Sequence, residues 1–184
     1  STEDARRWDA RYEGQPLTEP SPPDALVDAG LAERLTGPGR ALDIACGAGG
    51  QTAWLAQRGL DVVAVDGSQV AIDMTIAAAT ATGVDADVEA IVVDLDTGLP
   101  DELGHFDVVV CQRFRDTRLY GPICDRLRRG GLAVVTVLSQ TGASSPGPFH
   151  APPGELLAAF TRPDTDIVHH AETGGQESIV IRRT

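Results

Sequence analysis

Lysine is absent from the chain: all 15 basic residues among its 184 are arginine. That excludes chemistry needing a lysine amine at the reacting group, as in pyridoxal-phosphate enzymes, Schiff-base aldolases and P-loop NTPases. Aromatic residues make up only 4%, so a core must be packed from Ala, Val, Leu and Ile. The three cysteines, Cys46, Cys111 and Cys124, share no C-x-x-C spacing. A disulfide framework and a zinc site are therefore not expected, no metal is assigned, and a reducing, cytoplasmic setting fits. No apolar run reaches the roughly 18 residues of a membrane span. The opening residues lead into no apolar leader segment, so no membrane partner is expected.

Acidic residues number 27, giving a net charge of −12. A general nucleic-acid binder is disfavoured, because phosphate-backbone affinity comes mostly from Lys and Arg. The charge is unevenly spread: residues 1–100 hold 6 Arg and 17 acids, whereas residues 111–130 hold 6 Arg and 2 Asp. The length suits one core, since a chain of this size buries about 70% of the surface it exposes when unfolded.

Apolar strands alternate with Ala-rich helical stretches, the pattern of a parallel sheet flanked by helices. Strands are expected at residues 40–44, 61–65, 88–93, 106–111 and 132–138. Helices are expected at 4–12, 24–35, 52–57, 68–82, 116–128 and 155–160. Two last strands, about 164–170 and 178–182, have too short a connection for anything but an antiparallel hairpin. The fold class is α/β: a single doubly wound, seven-stranded, mostly parallel sheet closed by an antiparallel C-terminal hairpin. One domain, residues 1–184, divides into a helical cover (1–36), a core (37–138) and a closing loop, helix and hairpin (139–184).

Between the first strand and its helix stands Asp43-Ile44-Ala45-Cys46-Gly47-Ala48-Gly49-Gly50. Glycines there let the chain turn tightly and let a ligand approach the helix N-terminus, although a bare tight turn would read the same. A dinucleotide fingerprint would place glycine where Thr52 stands and would carry no acid at Asp43. A buried carboxylate needs a cation or donors to satisfy it, which favours a ligand bearing an ammonium group over a pyrophosphate. Asp66 ends the second strand, placed to accept from ribose hydroxyls or to cap the next helix. Asp94 ends the third strand, placed to accept adenine amino hydrogens or to make an ordinary turn.

Leu42 to Gly49, Val63-Ala64-Val65-Asp66-Gly67-Ser68, Val93-Asp94-Leu95, Phe106 to Val110 and Leu127 to Leu132 together resemble the class I S-adenosylmethionine-dependent methyltransferases. The chain ends, with Trp8, Tyr12 and Pro148-Phe149, look like the tellurite-resistance and thiopurine-type small-molecule subgroup. The resemblance implies S-adenosylmethionine as cofactor, bound by Asp43, Ala45, Gly47, Gly49, Asp66, Gly67, Asp94, Leu95 and Cys111. It also implies methyl transfer to a small acceptor: a thiol, a hydroxyl or a chalcogen oxyanion. Two positions depart from the family: Ala45 stands for its usual first glycine, and Gly67 for the apolar residue that packs on adenine. Trp8 and Tyr12, spaced i,i+4, share a helix face that either covers the cofactor or pins the helix to the core.

The acceptor belongs outside the C-terminal strand ends, where Arg113 and Arg115 open the basic patch. Arg113 is expected to bind an anionic group of the substrate, as a forked donor suited to carboxylate or oxyanion. His150, in the loop after the fifth parallel strand, is the candidate base for a thiol or phenol. The rivals are a nicotinamide-dependent oxidoreductase and a cofactor-binding partner subunit without an acceptor pocket. Either a monomer or a homodimer is compatible with the sequence.

Overall fold

A computed structural model describes all 184 residues. Seven strands form a mostly parallel sheet in the order β3-β2-β1-β4-β5-β7-β6, with helices between them. These are β1 Arg40–Ile44, β2 Asp61–Asp66, β3 Val88–Val92, β4 Phe106–Gln112, β5 Leu127–Leu138, β6 Thr165–Thr173 and β7 Gln176–Arg183. The helices are α1 Thr2–Tyr12, α2 Asp24–Asp28, α3 Gly50–Gln57, α4 Gln69–Ala81, α5 Tyr120–Asp125 and α6 Glu155–Phe160. No helix is long and apolar enough to cross a membrane. The chain falls into two compact units, Ser1–Pro22 with Glu33–Gly104, and Pro23–Ala32 with His105–Thr184.

In the first unit β1, β2 and β3 pair in parallel, Leu42 opposite Val63 and Ala64 opposite Ala90. β1 and β2 are almost wholly buried, as strands covered on both faces must be, and their runs of Ala, Val, Leu and Ile meet that demand. The Ser68 hydroxyl caps α4 by accepting from the Ala71 N–H at 3.0 Å. Gly83, at φ +74°, ends it, because only glycine takes that conformation without strain.

In the second unit β5 pairs with β4 in parallel and with β7 antiparallel, and β6 pairs with β7. The hairpin turn is tighter than the sequence predicts. Gly174 and Gly175 alone connect β6 to β7, at φ +60° and +81°, the two positive angles a two-residue turn matching strand twist requires. The helix expected over 116–128 is only a short turn and α5. From Leu127 the chain is already in β5, so Arg128 and Arg129 lie on a strand rather than at a helix end. The helix expected over 24–35 stops at Asp28, with Gly30 at φ +71° just beyond.

Candidate functional site

The loop from β1 to α3 turns through three left-handed residues: Ala45 at φ +55°, Gly47 at +56° and Gly49 at +88°. Gly49 has no substitute, since a Cβ there would lie 2.6 Å from the Thr75 Cα. Thr75 reaches over from α4, its hydroxyl donating to the Gly47 carbonyl at 3.0 Å and lying 3.4 Å from Cys46 Sγ. α3 starts on Gly49 with no side-chain cap; the Asp43 carboxyl takes the Thr52 N–H, and the N–H groups ahead of Thr52 remain for a ligand. Ala45 carries the strain that the family's usual glycine avoids, about 1 kcal/mol for an L-residue in this region. Ala45→Gly is accordingly expected to leave stability unchanged or raise it by up to about 1 kcal/mol, read as a urea midpoint shift at constant slope.

Asp43 is fully buried, and its partner is internal. The Thr52 hydroxyl donates to Asp43 Oδ2 at 2.7 Å. Thr52 is the residue that breaks the dinucleotide pattern. Burial pushes the Asp43 carboxyl up to about 7, against the pull of the Thr52 bond. The requirement for a ligand ammonium group is thereby removed: Asp43 ties the base of the loop to the first turn of α3.

Asp66, at the end of β2, is 7% exposed. Its Oδ2 accepts the Gly47 N–H at 3.0 Å and its Oδ1 the Ser68 N–H at 2.9 Å. Burial still raises its pKa above the usual carboxylate value. Beside it, a Cβ on Gly67 would meet only the Val93 carbonyl, at 3.6 Å; the apolar residue usual in the family is replaced by open space. Asp94 is exposed and accepts the Asp96 N–H at 3.1 Å, the ordinary turn geometry of that side chain. Leu95 is buried and packs.

Helix α1 closes over this region. Asp9 Oδ1 accepts from the Ser68 hydroxyl at 2.5 Å and the Val70 N–H at 3.1 Å, capping α4 from outside its own segment. Trp8 and Tyr12 stack at 6.1 Å, with the Arg11 guanidinium over the Trp8 ring. A Cβ on Gly47 would lie 2.9 Å from the Tyr12 hydroxyl. Burial and the nearby Asp66 raise the Tyr12 phenol above its usual value. Sequence reasoning missed Asp9, Thr52 and Thr75. Only Thr75 carried a signal, as a polar residue on the buried face that Ile72 and Ala79 share.

In the second unit Cys111 is buried near the Phe114 carbonyl, and it packs. Three of the six arginines of the basic patch are paired with carboxylates. Arg115 makes a two-pronged ion pair with Glu155 at 2.8 and 2.6 Å, and the Tyr120 hydroxyl donates to the same carboxylate at 2.8 Å. Arg118 pairs with Asp116, and Arg128 with Asp107. Arg113 differs: its backbone is left-handed at φ +58°, a conformation costly for a long side chain, and its exposed guanidinium meets no partner.

His150 is tied into its own loop by one ring nitrogen. Its Nδ1 accepts the Gly147 N–H at 2.8 Å, so the proton of the neutral ring sits on Nε2 and that nitrogen can only donate. The loop carrying it is fastened by Glu172, which accepts from the Ser139 and Thr141 hydroxyls and the Gly154 N–H. The fully buried Glu177 accepts the Leu156 and Leu157 N–H groups and lies 2.8 Å from His170 Nε2. These carboxylates are occupied by protein donors.

A sequence model of the methyltransferase domain matches residues 41–131. No curated protein sequence matches the chain. Among solved structures it is similar to the 4+2 cyclase SpnF, at 16% identity and TM-score 0.75, over 100% of this chain and 96% of that one. It is similar to geranyl diphosphate C-methyltransferase from Streptomyces coelicolor, solved with Mg2+, geranyl diphosphate and S-adenosyl-L-homocysteine, at 16% identity and TM-score 0.70, over 99% and 97%. TehB from Haemophilus influenzae matches at 16% identity and TM-score 0.69, over 86% of this chain; the chain spans 62% of TehB's length. At these identities the likeness is one of fold. Residues 41–131 thus match the methyltransferase-domain pattern, and the chain has the fold that S-adenosylmethionine-dependent methyltransferases share.

Proposed function

We propose that the chain, acting as one catalytic domain, transfers the methyl group of S-adenosylmethionine to a small-molecule acceptor: a thiol, a hydroxyl or a chalcogen oxyanion. The observation that carries this is the β1–α3 loop. It is held open by Asp66 and Thr75 and ends on an uncapped helix N-terminus. The residues suit the cofactor's chemistry. First-turn N–H groups of α3 offer donors for its carboxylate, Asp66 and Asp94 offer acceptors for hydroxyl and amino groups, and the gap at Gly67 leaves room for a ring. In this reading Ala45, Gly47 and Gly49 shape the cradle, and Leu95 packs within the same unit.

Bound S-adenosylmethionine supplies an electrophilic methyl group on a sulfonium, open to in-line displacement. The protein's task is then to align the acceptor and exclude water. Tyr12 and Trp8 on α1 cover the glycine loop, and Arg113 receives an anionic group of the acceptor. The geranyl diphosphate enzyme, whose acceptor is anionic, is consistent with that assignment. The net charge of −12 disfavours a nucleic-acid substrate. Three buried cysteines without a disulfide suit a reducing cytoplasm. The active form is a monomer or a homodimer.

A second reading, a fold relative that binds the cofactor without methylating, is favoured by the likeness to a cyclase, because a fold hosts many reactions. Calorimetric titration with S-adenosylmethionine, S-adenosylhomocysteine and NAD separates the cofactor classes; binding of the first two and not the third is expected. A screen of thiol, phenol and oxyanion acceptors then tests transfer. With an anionic acceptor, Arg113→Ala is expected to raise KM at least about tenfold, the loss of one charge-assisted contact, with cofactor affinity kept. An unchanged KM removes Arg113 from the site.

A further inference from the structure

Two backbone bonds on β5 bring Arg113 and Ala151, the residue after His150, to one edge of the strand. The carbonyls of Thr136 and Leu138, two residues apart on a strand, face the same edge. Thr136 accepts the Arg113 N–H at 2.7 Å, and Leu138 accepts the Ala151 N–H at 2.7 Å. Ser139 and Ala151 form a parallel bridge, so Ala151 takes the track β4 would have followed had it continued. The left-handed turn at Arg113 takes β4 off that track and clears the edge for the returning loop. The two anchor points are two strand residues apart, roughly 7 Å, and His150 immediately precedes the second.

Both side chains at this junction are donors. The Arg113 guanidinium has no acceptor atoms and no partner. His150 has Nδ1 committed to Gly147, which leaves the Nε2–H. Phe149, next to His150 in sequence, is 67% exposed. The carboxylate beside the junction, that of Glu172, is committed to the Ser139 and Thr141 hydroxyls and the Gly154 N–H, so the two unused donors give the junction the chemistry of an anion receptor.

We propose that Arg113 and the Nε2–H of His150 form a two-sided clamp for one carboxylate or oxyanion group of the methyl acceptor, with His150 acting as hydrogen-bond donor. This deepens the methyl-transfer reading and rests on it for the identity of the ligand as acceptor; the clamp itself is tested without turnover. The full chain, saturated with S-adenosylhomocysteine, is titrated with benzoate, with selenite and with neutral benzamide while the His150 ring signals are followed by NMR. Saturable shifts with benzoate assign the clamp to carboxylates and with selenite to oxyanions, and benzamide is expected to leave the ring unmoved. His150→Asn offers an acceptor for the Gly147 N–H but lacks the distal donor. It is expected to weaken anion binding five- to tenfold without changing the melting temperature, and Arg113→Gln at least tenfold. Shifts by neither anion, equal shifts by benzamide, or full affinity in either variant would overturn the clamp. Failure of S-adenosylhomocysteine to bind while benzoate still binds would overturn methyl transfer and leave the clamp standing.

Discussion

Replacing Asp66 by alanine is expected to remove most of the cofactor affinity and a large part of the stability together. Its two carboxylate oxygens hold the Gly47 N–H on one side and the Ser68 N–H on the other, joining the glycine loop to the start of α4. Deleting the carboxylate orphans two backbone donors in a buried setting, at about 1–3 kcal/mol each. The loop is then free to leave the left-handed geometry that makes it a cradle. S-adenosylhomocysteine affinity is expected to fall about 100-fold or more, the equivalent of one to two charge-assisted hydrogen bonds. Asp66→Asn retains one acceptor oxygen of the two. It is expected to fall between wild type and alanine in both affinity and melting temperature. A folded Asp66→Ala protein that binds S-adenosylhomocysteine as tightly as wild type would detach this acid from the cofactor altogether.

The alternation of strands and helices was legible because each strand from β1 to β4 is a short apolar run bounded by turn residues. The first residues of β5, Leu-Arg-Arg-Gly-Gly, show no such run. They enter the sheet through pairing: Leu127 lies opposite Phe106, and the register then shifts before Leu132 meets Val108. The acid at the end of β1 was legible as a cost, not as a contact. A buried Asp43 needs a donor, but nothing in the chain's local pattern names Thr52, nine residues on across a loop. Asp9 capping α4 from 59 residues away has no local signature. Charge counting failed for a related reason. Arg115 belongs to a basic stretch by sequence, yet its charge is met by Glu155, forty residues later. Composition records how many charges a segment carries; only the fold decides which remain unpaired.

A pronounced pH dependence of stability is expected from Asp43. Burial raises its carboxyl from the usual 3.8 to about 7, so between those values the folded chain holds a proton that the unfolded chain has released. Stability is therefore complete at the acidic end of this window and falls as pH rises through it, by an amount on the order of 4 kcal/mol. Urea unfolding across pH 5 to 8 measures the decline. Asp43→Asn keeps an oxygen for the Thr52 hydroxyl and removes the titration. It is expected to lie close to wild type at the acidic end, to exceed it at pH 8, and to keep only the shallower slope that the raised Asp66 contributes in the same direction. An equal slope in both proteins would mean that Asp43 is not its source. Thr52→Val gives the converse result. Without the hydroxyl that favours the ionised carboxylate, the Asp43 proton is held more tightly, and the decline extends to higher pH.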